Sequence, residues 1–107
     1  MPTVAAHDPI LARFREAVER AYGNRVEKIV LFGSRARGDA HTDSDYDVAV
    51  FLHDMTDRWK EIDRLADIGT EILYDEGKVL NAMAYRAGSY RERTPLMHEI
   101  RADGIDL

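Results

Sequence analysis

Four consecutive apolar residues, Val48, Ala49, Val50 and Phe51, sit inside a segment that reads as a β-strand from Tyr46 to Leu52. Successive strand side chains point to opposite faces, so this strand has no polar face to offer to water. It must lie inside a sheet covered on both sides, and the chain must supply helices to cover it. Asp8 followed by Pro9 is a good helix start: a carboxylate cap, then a residue with no N–H to satisfy. Ile10, Phe14, Val18 and Tyr22 recur at four-residue spacing, and Gly23 with Asn24 ends that helix. Val26 to Phe32 reads as a strand. Met55, Trp59, Ile62, Ala66, Gly69 and Leu73 alternate by four and three, which predicts an amphipathic helix over 55–73 with that stripe facing the core. Val79 to Tyr85, between Gly77 and Gly88, predicts a third strand, and Ser89 caps a short helical turn. Thr94 and Pro95 start a last helix that Gly104 ends. The expected order is helix, strand, strand, helix, strand, helix, an α+β fold with a small mixed sheet packed with helices.

A chain of 107 residues suits one compact domain, expected to span 1–107, with no internal repeat, low-complexity tract or linker. Hydrophobic residues at 45% and charged ones at 33% give a globular balance rather than a disordered one. The formal net charge of -5 argues against holding long nucleic acid, a mode that needs a basic face to release counterions from phosphates. The absence of cysteine excludes disulfides and thiolate metal sites. The first residues lack the basic segment and apolar run of a signal peptide, and no stretch approaches a membrane span, so a cytoplasmic protein is expected.

Chemistry concentrates in Leu31 to Val50, LFGSRARGDAHTDSDYDVAV, where Gly33 and Ser34 leave one strand and Asp45 and Asp47 enter the next. Residues two apart on a strand face the same side, so the two aspartates are expected to converge while Tyr46 turns away. Hard cations such as magnesium take carboxylate oxygens and complete their shell with water and substrate phosphates, so two aspartates suffice for a metal-nucleotide. Gly33 lets backbone approach a phosphate, Ser34 offers a hydroxyl and an N–H at the start of a short helix, and Arg35 and Arg37 add positive charge. Each part also has a plain explanation: Gly-Ser is common in turns, and arginines are often solvated surface. Asp43, Asp45 and Asp47 mimic the opening of a calcium loop, but the glycine that such a loop needs at its sixth place is here Val48. The four histidines show no metal-ligand spacing and are given no role.

Taken together, strand, Gly-Ser, ten residues, Asp-x-Asp and a second apolar strand resemble the nucleotidyltransferase superfamily typified by DNA polymerase beta. The likeness is greatest to its minimal members, the antitoxins of HEPN/MNT toxin–antitoxin pairs, and the closing LMHEIRADGIDL segment shares it. The resemblance implies a polymerase beta-like nucleotidyltransferase fold, with Gly33, Ser34 and Arg35 binding the phosphates and Asp45 and Asp47 as catalytic ligands of Mg2+. It implies transfer of a nucleoside monophosphate, AMP from ATP, to a hydroxyl of a protein partner. It further implies a HEPN-type helical toxin as that partner.

Active members of the superfamily carry a third carboxylate on a following strand, which here reads KVLNAMAYR and holds no acid. Its best-placed polar residue is Asn81, a neutral oxygen donor that cannot serve as a base. Asp75 and Glu76 fall in the turn before that strand. The departure separates two abilities, because holding the nucleotide leans on Asp45 and Asp47 while activating the acceptor leans on the missing acid. Two readings follow: a nucleotidyltransferase acting on a protein, and a catalytically weak or inactive nucleotide-binding module that neutralises its partner by covering it. An antibiotic-modifying adenylyltransferase fits less well, since such enzymes form the acceptor pocket with an added helical domain.

Overall fold

The computed structural model describes residues 8–107; the N-terminal tail, on which the signal-peptide reading rests, lies outside the described residues. Helix α1 (Pro9–Tyr22) leads through a 3-10 turn to strand β1 (Val26–Phe32), a short helix α2 (Ser34–Arg37) and strand β2 (Tyr46–Leu52). Helix α3 (Arg58–Glu76), strand β3 (Leu80–Arg86), a second 3-10 turn, helix α4 (Pro95–Asp103) and a two-residue strand β4 (Ile105–Asp106) complete the order. The α+β expectation holds: the sheet runs β3-β2-β1-β4, with β1 antiparallel to β2 and β4 and with β2 parallel to β3. A parallel neighbour needs a crossover connection, which α3 provides.

The caps read from sequence at Asp8 and Thr94 are in place, whereas at the second 3-10 turn, Ser89–Arg91, the cap is Gly88 and Ser89 makes no capping bond. Asp8 Oδ1 accepts from the N–H of Ile10 at 2.8 Å, and Thr94 Oγ1 accepts from the N–H of Met97 at 3.2 Å. Strand β2 is sandwiched as its composition demands. Val48 and Val50 pack with Phe14, Val18, Leu65 and Ile72 on the α1/α3 side. Ala49 and Phe51 pack with Met97 and Ile100 of α4 on the other, where the Tyr90 ring meets Phe51 edge-on with centroids 5.5 Å apart.

Helix α3 differs from its sequence expectation in bounds and in phase. Asp57 caps it, its carboxylate accepting from the N–H groups of Trp59 and Lys60, so Met55 is buried in the preceding loop rather than in the helix. The buried line is Glu61, Leu65, Gly69 and Ile72, whereas Trp59, Ala66 and Leu73 are exposed, Trp59 to 73%. Both lines satisfy a 3.6-residue period, and packing chooses between them. At Gly69 the helix lies so close to β3 that an added Cβ would stand 3.0 Å from the Leu80 carbonyl oxygen, which turns the Leu65/Ile72 line inward. Glu61, buried on this face, is held by Arg25 at 2.5 Å and lies 3.4 Å from the Tyr22 hydroxyl. Strand β4 was not expected; it pairs Val30 with Asp106 and Leu31 with Ile105, a contact between residues far apart in sequence that local pattern does not announce.

Candidate active site

The β1–β2 hairpin brings the two halves of the polar segment back together. Phe32, the last residue of β1, pairs with Asp47, and Gly33 follows it directly. Gly33 has φ 77° and ψ -160°, a conformation that side chains resist, and an added Cβ would stand 2.6 Å from Asp47 Oδ2. Backbone and carboxylate are therefore in contact there, with no room for a side chain. Ser34 opens α2, whose first N–H groups have no acceptor within the helix, as at any helix start.

The parallel partner of Asp47 on β3 is Asn81. The Asn81 amide donates from Nδ2 to Asp45 Oδ2 at 3.3 Å, so Asn81 stands beside both aspartates. Asp47 and Asn81 share their strand parity with Ala49 and Tyr85 and so lie on the α4 side of the sheet, beyond the stretch that α4 covers. Asp45 is exposed and Asp47 half-buried. The site is thus an open shelf. A hollow of about 380 Å³ lies at the other end of β3 against Met55, Arg58, Tyr85 and Arg86.

Arg35 points elsewhere than the phosphate turn. Its guanidinium lies 4.0 Å over the Tyr46 ring, donates from Nε to the Ser44 carbonyl at 2.9 Å and from Nη2 to the Thr42 carbonyl at 3.2 Å. Tyr46 in turn donates from its hydroxyl to Asp8 Oδ2 at 2.6 Å, so the cap of α1, the ring and the guanidinium form one chain that fixes the loop just before Asp45. Lys78 also donates to the Thr42 carbonyl. Sequence reasoning missed this clamp, because carbonyl acceptors leave no trace in residue type. Arg37 is exposed and bridges Asp103 at 3.0 Å and Asp39 at 3.3 Å, both of which raise its pKa.

Burial, then the bond to Asp8, pushes the Tyr46 phenol up to about 12; burial, then the charge of Glu61, does the same for Tyr22. The folded chain thus holds these protons more tightly than the unfolded one. Their contribution to stability is complete below the ordinary tyrosine pKa of about 10 and is lost as pH rises from there towards 12. Urea denaturation from pH about 9 to about 12 should show stability falling across that window, and less steeply in Tyr46→Phe.

Among the described residues, no three histidine, cysteine or acidic groups come together to hold a metal. The donors that are present, two carboxylates beside a side-chain-free turn, suit one hard cation that brings its remaining ligands on a nucleotide. Asn81, the polar side chain beside them on β3, adds a neutral amide rather than a third carboxylate.

The model of the nucleotidyltransferase domain family matches residues 11–96. A protein of Methanocaldococcus jannaschii, whose name proposes a protein adenylyltransferase, is 36% identical over 73 residues, spanning 68% of this chain and 67% of its own length. The solved structures that share the fold include these two. One is a proposed nucleotidyltransferase from Sulfolobus solfataricus, with a TM-score of 0.60 and 16% identity over 98% of this chain and 87% of that one. The other is a toxin–antitoxin crystallised with AMP-PNP, with a TM-score of 0.59 and 21% identity over 87% of this chain and 68% of that one. No helix among the described residues is long and apolar enough to cross a membrane.

Proposed function

Since the chain belongs to the nucleotidyltransferase domain family, we propose that it transfers AMP from ATP to a hydroxyl of a protein partner. The partner is a HEPN-type helical toxin, which the chain restrains as an antitoxin in the cytoplasm, working as a single domain. The observation that carries this reading is the contact of Gly33 with the Asp47 carboxylate, beside Asp45, at the open end of one hairpin. The name of the Methanocaldococcus jannaschii relative supports a protein acceptor, and the toxin–antitoxin neighbour supports a toxin as the partner.

In the reaction, the acceptor oxygen forms a bond to the α-phosphorus, the bond from that phosphorus to the bridging oxygen breaks, and pyrophosphate leaves with the electron pair. The acceptor proton passes to solvent. Asp45 and Asp47 would hold Mg2+ with the triphosphate, and the ion would supply neutralisation of phosphate charge. Gly33 admits the phosphates to the backbone, and Ser34 offers them its N–H and hydroxyl. Arg35 keeps the loop before Asp45 in place through the Ser44 and Thr42 carbonyls, which assigns it positioning rather than the phosphate contact expected of it. The chain's contribution is position and charge, the terms that dominate phosphoryl chemistry.

A second reading is favoured by Asn81, which donates to Asp45 at the strand where the superfamily resemblance implies an acid. Without a base on β3, nucleotide binding persists and transfer is slow or absent, and the chain neutralises its partner by covering it. One experiment separates the two: incubation of the chain and its partner with magnesium and each nucleoside triphosphate, then intact-mass spectrometry of both. The expected result is the mass of one AMP on the partner, absent with Asp45→Asn. Bound nucleotide with no added mass would select the covering module, and Asn81→Asp should then restore transfer. Neither binding nor transfer would remove both readings.

A further inference from the structure

Helix α3 carries a second apolar line that the fold leaves in water. Trp59 is exposed to 73%, Tyr74 to 81% and Leu73 to 40%, with Val79 exposed just beyond the helix. Between α3 and the start of β3 this line borders a hollow of about 200 Å³ whose walls include Ala66, Leu73 and Val79 and whose floor is Gly69 and Leu80. Beside it runs a row of exposed acids at four-residue spacing, Asp63, Asp67, Glu71 and Asp75. Asp75 is paired with Arg13, whereas Asp63, Asp67 and Glu71 have no ion pair within 4 Å among the described residues. Like charges four apart destabilise a helix, and the exposed Lys60 and Arg64, three residues before Asp63 and Asp67, offset that only in part, so the face stays net acidic.

We propose that this strip of α3 is the seat of a basic amphipathic helix of a partner protein. The apolar line asks for a second apolar line at helical spacing, and the acid row asks for lysines or arginines along the margin of that partner helix. From Trp59 to Leu73 the strip is about 21 Å long, enough for a partner helix of about four turns. A nucleic acid is disfavoured by the acid row. So is a second copy seated face to face, since a two-fold contact would set that row against itself. An added strand is disfavoured because Arg58 Nε already donates to the Ala84 carbonyl and Gly69 lies against that of Leu80. The strip faces the α3 side of the sheet and the candidate active site faces the α4 side, so the inference stands apart from the nucleotide reading.

Trp59 is the single tryptophan of the chain and sits on the strip, which makes its fluorescence the readout. The probe is a synthetic tryptophan-free peptide of leucine and lysine, about 18 residues long, patterned as an amphipathic helix; no nucleotide or metal is added. A saturable blue shift of Trp59 emission is expected. Binding should weaken at least about tenfold in Leu73→Asp and in the double variant Asp67→Lys with Glu71→Lys, with melting temperatures kept, and to the same degree for a scrambled peptide of equal composition. No saturable shift, or equal binding by the scrambled peptide or by the charge-reversed variant, would overturn the proposal. So would a shift that grows with protein concentration alone, which would give the strip to a second copy.

Discussion

Replacing Gly33 with alanine is expected to weaken binding of magnesium-ATP by about 10- to 100-fold, the scale of loss when a group that orients a metal ligand is disturbed. The new Cβ would stand 2.6 Å from Asp47 Oδ2, so either the carboxylate or the turn must move. Backbone strain at φ 77° adds a stability loss of about 1–3 kcal/mol. Gly38→Ala separates the two effects. Gly38 also has a positive φ, 84°, but nothing lies within 4 Å of its missing Cβ, so that variant should lose stability and keep its affinity. Calorimetric titration with magnesium-ATP beside a melting curve reads both quantities. Undiminished affinity in Gly33→Ala would remove the phosphate role of this turn.

Arg25→Met is expected to give the largest loss of stability, because it leaves Glu61 charged and buried at 4% exposure. Removing one partner of such a pair costs about 3–5 kcal/mol. Arg64, 3.9 Å from Glu61, and the Tyr22 hydroxyl hold the effect near the lower end. At about 4–8 °C per kcal/mol for a domain of this size, the melting temperature should fall by about 12–24 °C. Removing both charges, Arg25→Met with Glu61→Leu, should recover most of the loss, since an apolar pair in a buried place is often as stable as an ionic one. The Tyr22 hydroxyl would still have the backbone carbonyl of residue 61, at 3.4 Å, to donate to. Additive losses in the double variant would mean that the pair contributes little and that the cavity dominates.

How much was legible from sequence depended on how local the deciding contact is. The starts of α1 and α4 were plain because Asp8 and Thr94 cap their own first turns, and β1 and β2 were plain because Gly and Asp punctuate runs of apolar residues. The phase of α3 was not, since two apolar lines fit one period and the choice rests on Gly69 meeting a carbonyl eleven residues on, at Leu80. Arg35 could be read as a phosphate ligand because its charge is visible, while the Ser44 and Thr42 carbonyls that hold it are not. Asn81 could be named but not oriented, because its place beside Asp45 follows from the β2–β3 register across the α3 crossover.

That crossover sets a time order on assembly as well as a place. Gly33, Ser34, Asp45 and Asp47 all fall within one antiparallel hairpin, whose closure needs only the connection 33–45, about half as long as the connection 53–79 between β2 and β3. Asn81 arrives only when α3 has formed and β3 has docked in parallel, a pairing of greater sequence separation and slower closure. A nascent chain would therefore possess its candidate nucleotide shelf before it possesses the position facing it. Among variants that loosen β3, the affinity for nucleotide should outlast whatever depends on residue 81.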